Sequence, residues 1–209
     1  MDSPGFLRPP ADDADRLARL QLIRSDNVGP ITWRELLRHF GSAREALEAL
    51  PALAAKGGRR KIGIFPKSRA ERELATLAKL GGRHLFMGED DYPAALAAVE
   101  DAPPVLLLLG NVDLLRRPAV GIVGSRNAST NGRRIARDIA AGLAAEGILV
   151  VSGMARGIDT AAHEGGLAGA TAAVLAGGPD NIYPQENEAL YEAIRERGAI
   201  LAESPPGLE

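Results

Sequence analysis

The chain of 209 residues is long enough for one sizeable domain or two small ones, and its 45% hydrophobic and 25% charged residues indicate a folded protein. The 209 residues include no cysteine, so disulfides, thiolate zinc sites and cysteine nucleophiles are excluded within this sequence. The first ten residues are too polar and proline-rich for a signal peptide, and no apolar run approaches the ~18 residues that span a bilayer. We therefore expect a soluble, cytoplasmic protein without membrane contact.

The net charge of −2 conceals an uneven distribution along the chain. Residues 1–83 hold 16 Lys and Arg against 10 Asp and Glu, whereas residues 84–209 hold 9 against 17. A basic half of this kind is typical of proteins that contact a polyanion. It also fits two surfaces of one protein that attract each other, and charge alone does not separate the two interpretations.

The first half of the chain predicts a loose tail at residues 1–15 and a small all-α domain at residues 16–80. Apolar residues recur there at helical spacing. Thr32 is the expected cap of the second helix and Pro51 the expected end of the third. The sequence "NVGP" at residues 27–30 is typical of helix-hairpin-helix modules, whose hairpin amides contact phosphate, but plain helix connectors of this length are common too.

A basic connection follows the third predicted helix. Residues 56–72 carry seven Lys and Arg and a single acid, Glu71. This run indicates either a solvated connection or a segment that contacts a polyanion. Secondary candidates for such contact are Arg59, Arg60 and Lys61.

The second half of the chain, residues 84–209, has the pattern of an α/β domain. Short, fully apolar strands alternate with helices, which predicts a Rossmann-like parallel sheet with helices on both faces. The expected strands are 84–87, 105–109, 120–123, 148–151, 171–175 and 199–202.

Two loops that follow predicted strands have the composition of phosphate-binding loops. Ligands of open α/β sheets bind outside the carboxyl ends of the strands, where small residues let the backbone approach and helix amides favour an anion. Each loop adds one arginine, Arg126 or Arg156, whose guanidinium suits phosphate oxygens. The residues expected to contact phosphate are Gly124, Ser125, Arg126, Asn127, Ser152, Gly153, Arg156 and Gly157.

Two later loops supply secondary candidates. Tyr183 is placed either to stack on a base or to pack beside Pro184. Glu203 ends the last predicted strand and is expected to pair with one of the arginines.

No pattern in the sequence indicates catalysis. Asp159 and His163 lie one helical turn apart, but we expect Asp159 to cap its helix and His163 to bond locally. The chain has no HExxH, GxSxG or GxGxxG sequence, so we predict no catalytic residue, no metal and no cofactor. Binding is the expected function.

Several ordered motifs make the chain resemble the DprA/Smf family of bacterial DNA-processing proteins. They are "VGIVGSR" (120–126), "SGMARGIDTAAH" (152–163), "GPDNIYPQEN" (178–187) and "GAILAESP" (198–205). With "DDYPAAL" (90–96) and "DAPPVLLLLGN" (101–111), the resemblance runs from about residue 16 to residue 207.

The resemblance implies an extended Rossmann core that binds single-stranded DNA in a basic pocket, behind a sterile-alpha-motif-like helical domain. It further implies protection of incoming DNA in natural transformation, loading of the RecA recombinase, and a homodimer. Carried onto this chain, the DNA-binding side chains would be Arg126 and Arg156. The family core usually continues past its "SEPP"-like residues, so we expect a core truncated at its C-terminal end. The dimer and RecA surfaces of the family lie largely in that later part, which leaves both open for this chain. Ala202 also replaces the more usual serine.

One alternative from another class is a nucleotide-binding or nucleotide-processing enzyme. The predicted core also resembles the phosphoribohydrolases, which use similar "GS" loops and a "PGGxGTxxE" catalytic segment. The nearest stretch here, residues 177–180, lacks the following Gly-Thr and the glutamate. This favours binding over catalysis.

Overall fold

The structure, a computed structural model, describes residues 8–56, 62–169 and 171–208. Arg59, Arg60 and Lys61 therefore lie outside the described residues. The helices are α1 (Asp13–Arg24), α2 (Pro30–Phe40), α3 (Ala43–Lys56), α4 (Lys67–Lys79), α5 (Ala94–Ala97), α6 (Thr130–Ala145), α7 (Ile158–Gly166) and α8 (Glu188–Arg197). The strands are β1 (Arg83–Phe86), β2 (Val105–Gly110), β3 (Ala119–Gly121), β4 (Leu149–Ser152), β5 (Thr171–Leu175) and β6 (Ala199–Ala202). Short 3-10 helices lie at Val112–Arg116 and Gln185–Asn187.

The described residues form two compact units. The first lies within Met1–Thr76 and His84–Leu106, the second within Leu77–Arg83 and Leu107–Glu209. Residues 84–106 pack with the helices of the first unit, since Phe86 and Val105 share a buried cluster with Leu20 of α1. The domain boundary at residue 84 stays a prediction.

The helical core of the first unit forms around Trp33 of α2, which is fully buried against α1 and α3. Its indole Nε1 donates to the carbonyl of Arg19 at 3.2 Å. Helix α2 begins at Pro30 behind Gly29, so the prediction that Thr32 caps it was wrong. Proline suits the first position of a helix because its missing N–H would be unpaired there in any case.

Helix α3 also differs from its prediction, since it passes through Pro51 and continues to Lys56. Leu50 and Ala54 are buried on either side of the exposed proline. Packing of these apolar residues keeps the segment helical despite the hydrogen bond that proline removes.

A buried charge cluster fixes α1, α4 and β1 within the first unit. Arg24 donates to both carboxylate oxygens of Glu73, with the shortest contact at 2.8 Å, and His84 Nε2 lies 3.5 Å from the same carboxylate. Burial alone would raise the pKa of Glu73, but hydrogen bonds from His84 and Arg24 hold it below its ordinary value of 4.5. The carboxylate therefore stabilises the fold above that pH and loses this contribution as the pH falls.

The sheet of the α/β region has six strands in the order β1-β2-β6-β5-β4-β3. Strands β3, β4, β5 and β6 are parallel, as predicted, but β2 runs antiparallel to β6, with Leu108 opposite Leu201. The sheet is therefore mixed. An apolar run indicates that a strand is buried but carries no information on its direction.

The register shows which face of the second unit's sheet the helices cover. Val150 of β4 packs against α6 and α7, and Ile200 of β6 packs against α8. Paired residues and every second residue along a strand share a face, so all three helices lie on one side. On the opposite side Val174 is 42% exposed. On the same side Leu108 of β2 and Leu201 of β6 are buried, so this face is covered at that end of the sheet.

The described helices include none that is both long and apolar enough to cross a membrane.

We predict that Arg24→Met lowers the free energy of unfolding by about 3 kcal/mol at neutral pH, because it leaves the buried Glu73 carboxylate without its main partner. Urea denaturation measures the loss. The difference from the unchanged protein should shrink as the pH falls below 4.5, where Glu73 becomes protonated.

The matched control is Arg44→Met, because Arg44 pairs with Glu48 on the surface and its side chain is 85% exposed. Its effect should stay within about 0.5 kcal/mol. Equal losses for the two variants would contradict a structural role for the buried cluster.

Candidate phosphate-binding cleft

Three loops leave the carboxyl ends of β3, β4 and β5, which are neighbours in the sheet. We call them loop 1 (residues 122–129), loop 2 (residues 153–157) and loop 3 (residues 176–184). Together with the start of the segment before α8 they surround an open cleft of about 950 Å³. It is lined by Arg126, Asn127, Gly153, Ala155, Arg156, Leu175, Ala176, Gly177, Asn181, Ile182, Tyr183, Pro184, Gln185 and Glu186.

Loops 1 and 2 are in direct backbone contact. The amide of Ile158, the first residue of α7, donates to the carbonyl of Ser125 at 3.2 Å. Gly157 has φ +83° and ψ −113°, a conformation that suits glycine alone. A Cβ at this position would lie 2.3 Å from the Ser125 oxygen, so the close approach of the two loops requires glycine.

Side-chain bonds fix the shape of loop 1. The hydroxyl of Ser125 accepts from the amide of Asn127 at 3.1 Å, and the hydroxyl of Ser129 accepts from Gly132 and caps α6. The loop thus passes directly into the N-terminus of a sixteen-residue helix, which favours a nearby anion.

A second set of bonds ties loop 2 to the segment before α8. Met154 is buried with φ +64°, a left-handed conformation that is uncommon for a side chain of its size. Its carbonyl accepts from the Asn187 side chain at 2.9 Å, and the same Nδ2 donates to Thr160 at 3.0 Å. Asn187 is buried, so residues on either side of it have a fixed position relative to loop 2.

The charged groups of the cleft are two arginines and one glutamate. Arg126 is exposed on loop 1, and in the described part of the chain no carboxylate forms an ion pair with it. Arg156, on loop 2, pairs through Nε with Glu186 Oε1 at 2.9 Å. The rim of the cleft therefore presents cationic forks that suit phosphate oxygens.

The eight residues expected to contact phosphate divide into two groups. Arg126, Asn127, Gly153 and Arg156 line the cleft. The other four, namely Gly124, Ser125, Ser152 and Gly157, belong to the framework that holds the loops.

Ser152 shows the difference most clearly. It is buried, and its hydroxyl donates to the carbonyl of Ile122 at 2.7 Å, at the start of loop 1. The hydroxyl thus holds the ends of β3 and β4 together, while the expected phosphate contact of Ser152 stays a prediction.

Of the two secondary candidates, Tyr183 and Glu203, one lines the cleft and the other does not. Tyr183 lines the cleft and is 71% exposed, whereas Pro184 beside it is buried. Glu203 is exposed after β6 and is not among the cleft-lining residues.

The Asp159 and His163 side chains form hydrogen bonds with different partners. The carboxylate of Asp159 accepts from Ala155 at 3.4 Å, but α7 begins at Ile158 behind Gly157, so the prediction that Asp159 caps the helix was wrong. His163 is fully buried and bonds locally, as predicted, through Nδ1 to Thr171 Oγ1 at 2.7 Å. Burial lowers the pKa of His163 to about 4, so the ring is neutral at physiological pH.

No group of three or more His, Asp or Glu side chains in the described ranges is placed to hold a metal ion. The exposed arginines of the cleft and the amides that open α6 are suited to binding an extended anion.

The sequence patterns do not single out two residues of this region: Glu186, which lines the cleft, and Asn187, which bonds its segment to loop 2. Both residues follow Tyr183 and Pro184 in the segment after β5. Because the loops of neighbouring strands converge at one edge of the sheet, this position in the sequence predicts that they lie near the two arginines.

Comparison with known proteins decides the family. Residues 83–209 match the model of the DNA recombination-mediator protein A family, and residues 13–76 match that of the DprA-like N-terminal HHH domain. The chain belongs to the DprA family. The second match describes the helical domain as an HHH domain, one of the two interpretations that the turn at residues 27–30 left open.

Relatives of known sequence match this chain along most of its length. Protein Smf of Synechocystis is 36% identical over 193 residues, which cover 86% of this chain and 48% of that protein. The chain thus spans about half the length of the relatives it matches.

Two solved DprA structures are similar to this one. The X-ray structure of DNA processing protein A from Streptococcus pneumoniae matches with a TM-score of 0.68 and 26% identity, covering 100% of this chain and 70% of that one. The protein from Helicobacter pylori, whose structure describes a single-stranded DNA binding mode, matches with a TM-score of 0.56 and 30% identity over 61% of this chain and 58% of that one.

We predict that Gly157→Ala disturbs the contact between loops 1 and 2, because the added Cβ meets the Ser125 carbonyl and the backbone conformation is strained. The free energy of unfolding should fall by about 2 kcal/mol in urea denaturation.

The matched control is Gly142→Ala in α6, where an added Cβ meets nothing within 4 Å. This change should stabilise the protein by about 0.5–1 kcal/mol, since alanine favours the helix. An unchanged stability of Gly157→Ala would mean that the loops do not depend on their close approach.

Proposed function

We propose that this chain binds single-stranded DNA in the cleft between loops 1, 2 and 3. The observation that supports the proposal most directly is the position of Arg126 and Arg156 on two interlocked loops at the rim of one open cleft. The Helicobacter pylori relative, described as binding single-stranded DNA, belongs to the same family and has the same fold.

Binding is electrostatic in the main. Phosphates lie against Arg126 and Arg156 and near the amides that open α6, while bases receive no direct readout from these groups. Backbone recognition of this kind gives affinity without sequence preference, and it weakens with salt because counterions are released from the DNA.

Tyr183 adds a surface on which a base stacks. Its exposure at the lip of the cleft favours this role over the alternative, packing against Pro184. Stacking on an aromatic ring favours single strands, whose bases are free to turn outward.

The wider role that we propose follows from membership of the family. The chain takes part in DNA processing and recombination in the cytoplasm as a DNA-binding protein rather than an enzyme. The proposal extends to the protection of incoming single strands, to the loading of RecA, and to a homodimer as the assembly.

We predict that Arg126→Ala/Arg156→Ala lowers the affinity for labelled oligo-dT by about 10- to 100-fold at low salt, because the double variant lacks two charge-assisted hydrogen-bonding groups for phosphate. Fluorescence anisotropy at several salt concentrations measures the affinity. The slope of log affinity against log salt should become shallower by about 1.4, that is, about 0.7 for each phosphate that the variant no longer neutralises.

Arg197→Ala is the matched control, since Arg197 is exposed at the end of α8 and does not line the cleft. Its affinity should stay close to that of the unchanged protein. If the double variant binds as tightly as Arg197→Ala, the strand does not occupy this cleft.

We predict that Tyr183→Ala lowers the affinity for oligo-dT by about 5- to 100-fold, because one base loses its stacking partner. Tyr183→Phe keeps the ring and should bind nearly as well as the unchanged protein. Similar losses in the two variants would assign the effect to the hydroxyl, and no loss in either would remove Tyr183 from the interface.

A further inference from the structure

The cleft contains an internal competitor for the phosphate that the proposed function assigns to Arg156. Glu186 Oε1 lies 2.9 Å from Arg156 Nε, and both side chains line the same cleft. Both are also more than half exposed, at 57% and 60%, so a ligand in the cleft has access to the pair. Arg126, on the adjacent loop, has no such carboxylate partner within the described residues.

The place of Glu186 beside Arg156 is set by the backbone. The next residue, Asn187, is buried and donates to the Met154 carbonyl of loop 2 at 2.9 Å and to Thr160 at 3.0 Å. These bonds hold the 3-10 turn Gln185–Asn187 against loop 2. The loop residue that accepts the bond, Met154, lies two positions before Arg156 in the chain. The ion pair is thus built into the loop framework.

A carboxylate at this distance has two effects on an incoming phosphate. It occupies Nε, one of the guanidinium donors that a bidentate phosphate contact uses, and it repels the phosphate charge across the cleft. The ion pair itself contributes little to folding, because exposed pairs are worth at most about 1 kcal/mol. Glu186 therefore affects the affinity for DNA more than the stability of the fold.

We propose that Glu186 limits the affinity of the cleft for single-stranded DNA by competing with phosphate for Arg156. This inference rests on the proposed function. It makes Glu186 an affinity-setting residue of the interface, and DNA binding then requires that the Arg156–Glu186 pair opens.

The experiment compares Glu186→Gln with the unchanged protein in oligo-dT anisotropy titrations across a range of salt concentrations. Removal of the carboxylate should raise the affinity by about two- to fivefold at low salt, the range expected for an exposed ion pair. The salt slope should stay close to that of the unchanged protein, since Arg156 neutralises one phosphate in both proteins once DNA is bound.

Two controls separate this effect from a general change of charge. Glu188→Gln removes the same charge at the first residue of α8, outside the cleft lining, and should leave the affinity nearly unchanged. In an Arg156→Ala background, Glu186→Gln should lose most of its gain, because the carboxylate acts through that arginine.

The outcomes distinguish the two proposals. If the unchanged protein binds oligo-dT and Glu186→Gln gains no more than Glu188→Gln, the competition is overturned while the proposed function stands. An equal gain with and without Arg156 also overturns it. If neither the unchanged protein nor Glu186→Gln binds at low salt, the proposed function fails and the inference fails with it.

Discussion

The cleft depends on the close approach of loops 1 and 2. The amide of Ile158 bonds to the Ser125 carbonyl, and Gly157 leaves the space that this approach needs. A residue with a side chain at position 157 would push the loops apart, and Arg126 and Arg156 would separate with them. Arg126 and Arg156 lie on loops that follow adjacent strands, and a backbone hydrogen bond and a glycine bring these two loops together.

The third wall of the cleft is joined to this pair by a side chain rather than by the sheet. Strand β5 is paired with β4, but the segment that follows loop 3 reaches loop 2 through Asn187. A buried amide that bonds to a backbone carbonyl and a hydroxyl is costly to displace, since each bond that breaks leaves a polar group without compensation. Asn187 therefore holds the preceding residue, Glu186, at a fixed place on the rim of the cleft.

The sequence allowed prediction of the parallel strands β3 to β6, the loops at their carboxyl ends and the two arginines. These features depend on local patterns: apolar runs, glycines at strand ends and arginine within a short loop. The direction of β2 could not be predicted, because an apolar strand looks the same in either direction. The course of α3 through Pro51 depends on tertiary packing, which a local rule for proline does not include. The ion pair of Glu186 with Arg156 joins residues thirty positions apart, and only the folded loops bring them together.

The charge of the chain shows why local geometry matters more than composition. Residues 84–209 carry eight more acidic than basic side chains, yet the same half contains the proposed anion-binding rim. At physiological salt, charges about 8 Å apart or more are largely screened, so a phosphate in the cleft responds to Arg126, Arg156 and Glu186 rather than to distant acids. The acidic excess of residues 84–209 also disfavours the non-specific attachment of DNA elsewhere on this half. In the binding that we propose, the balance between two arginines and one glutamate within the cleft sets both where a strand binds and how tightly.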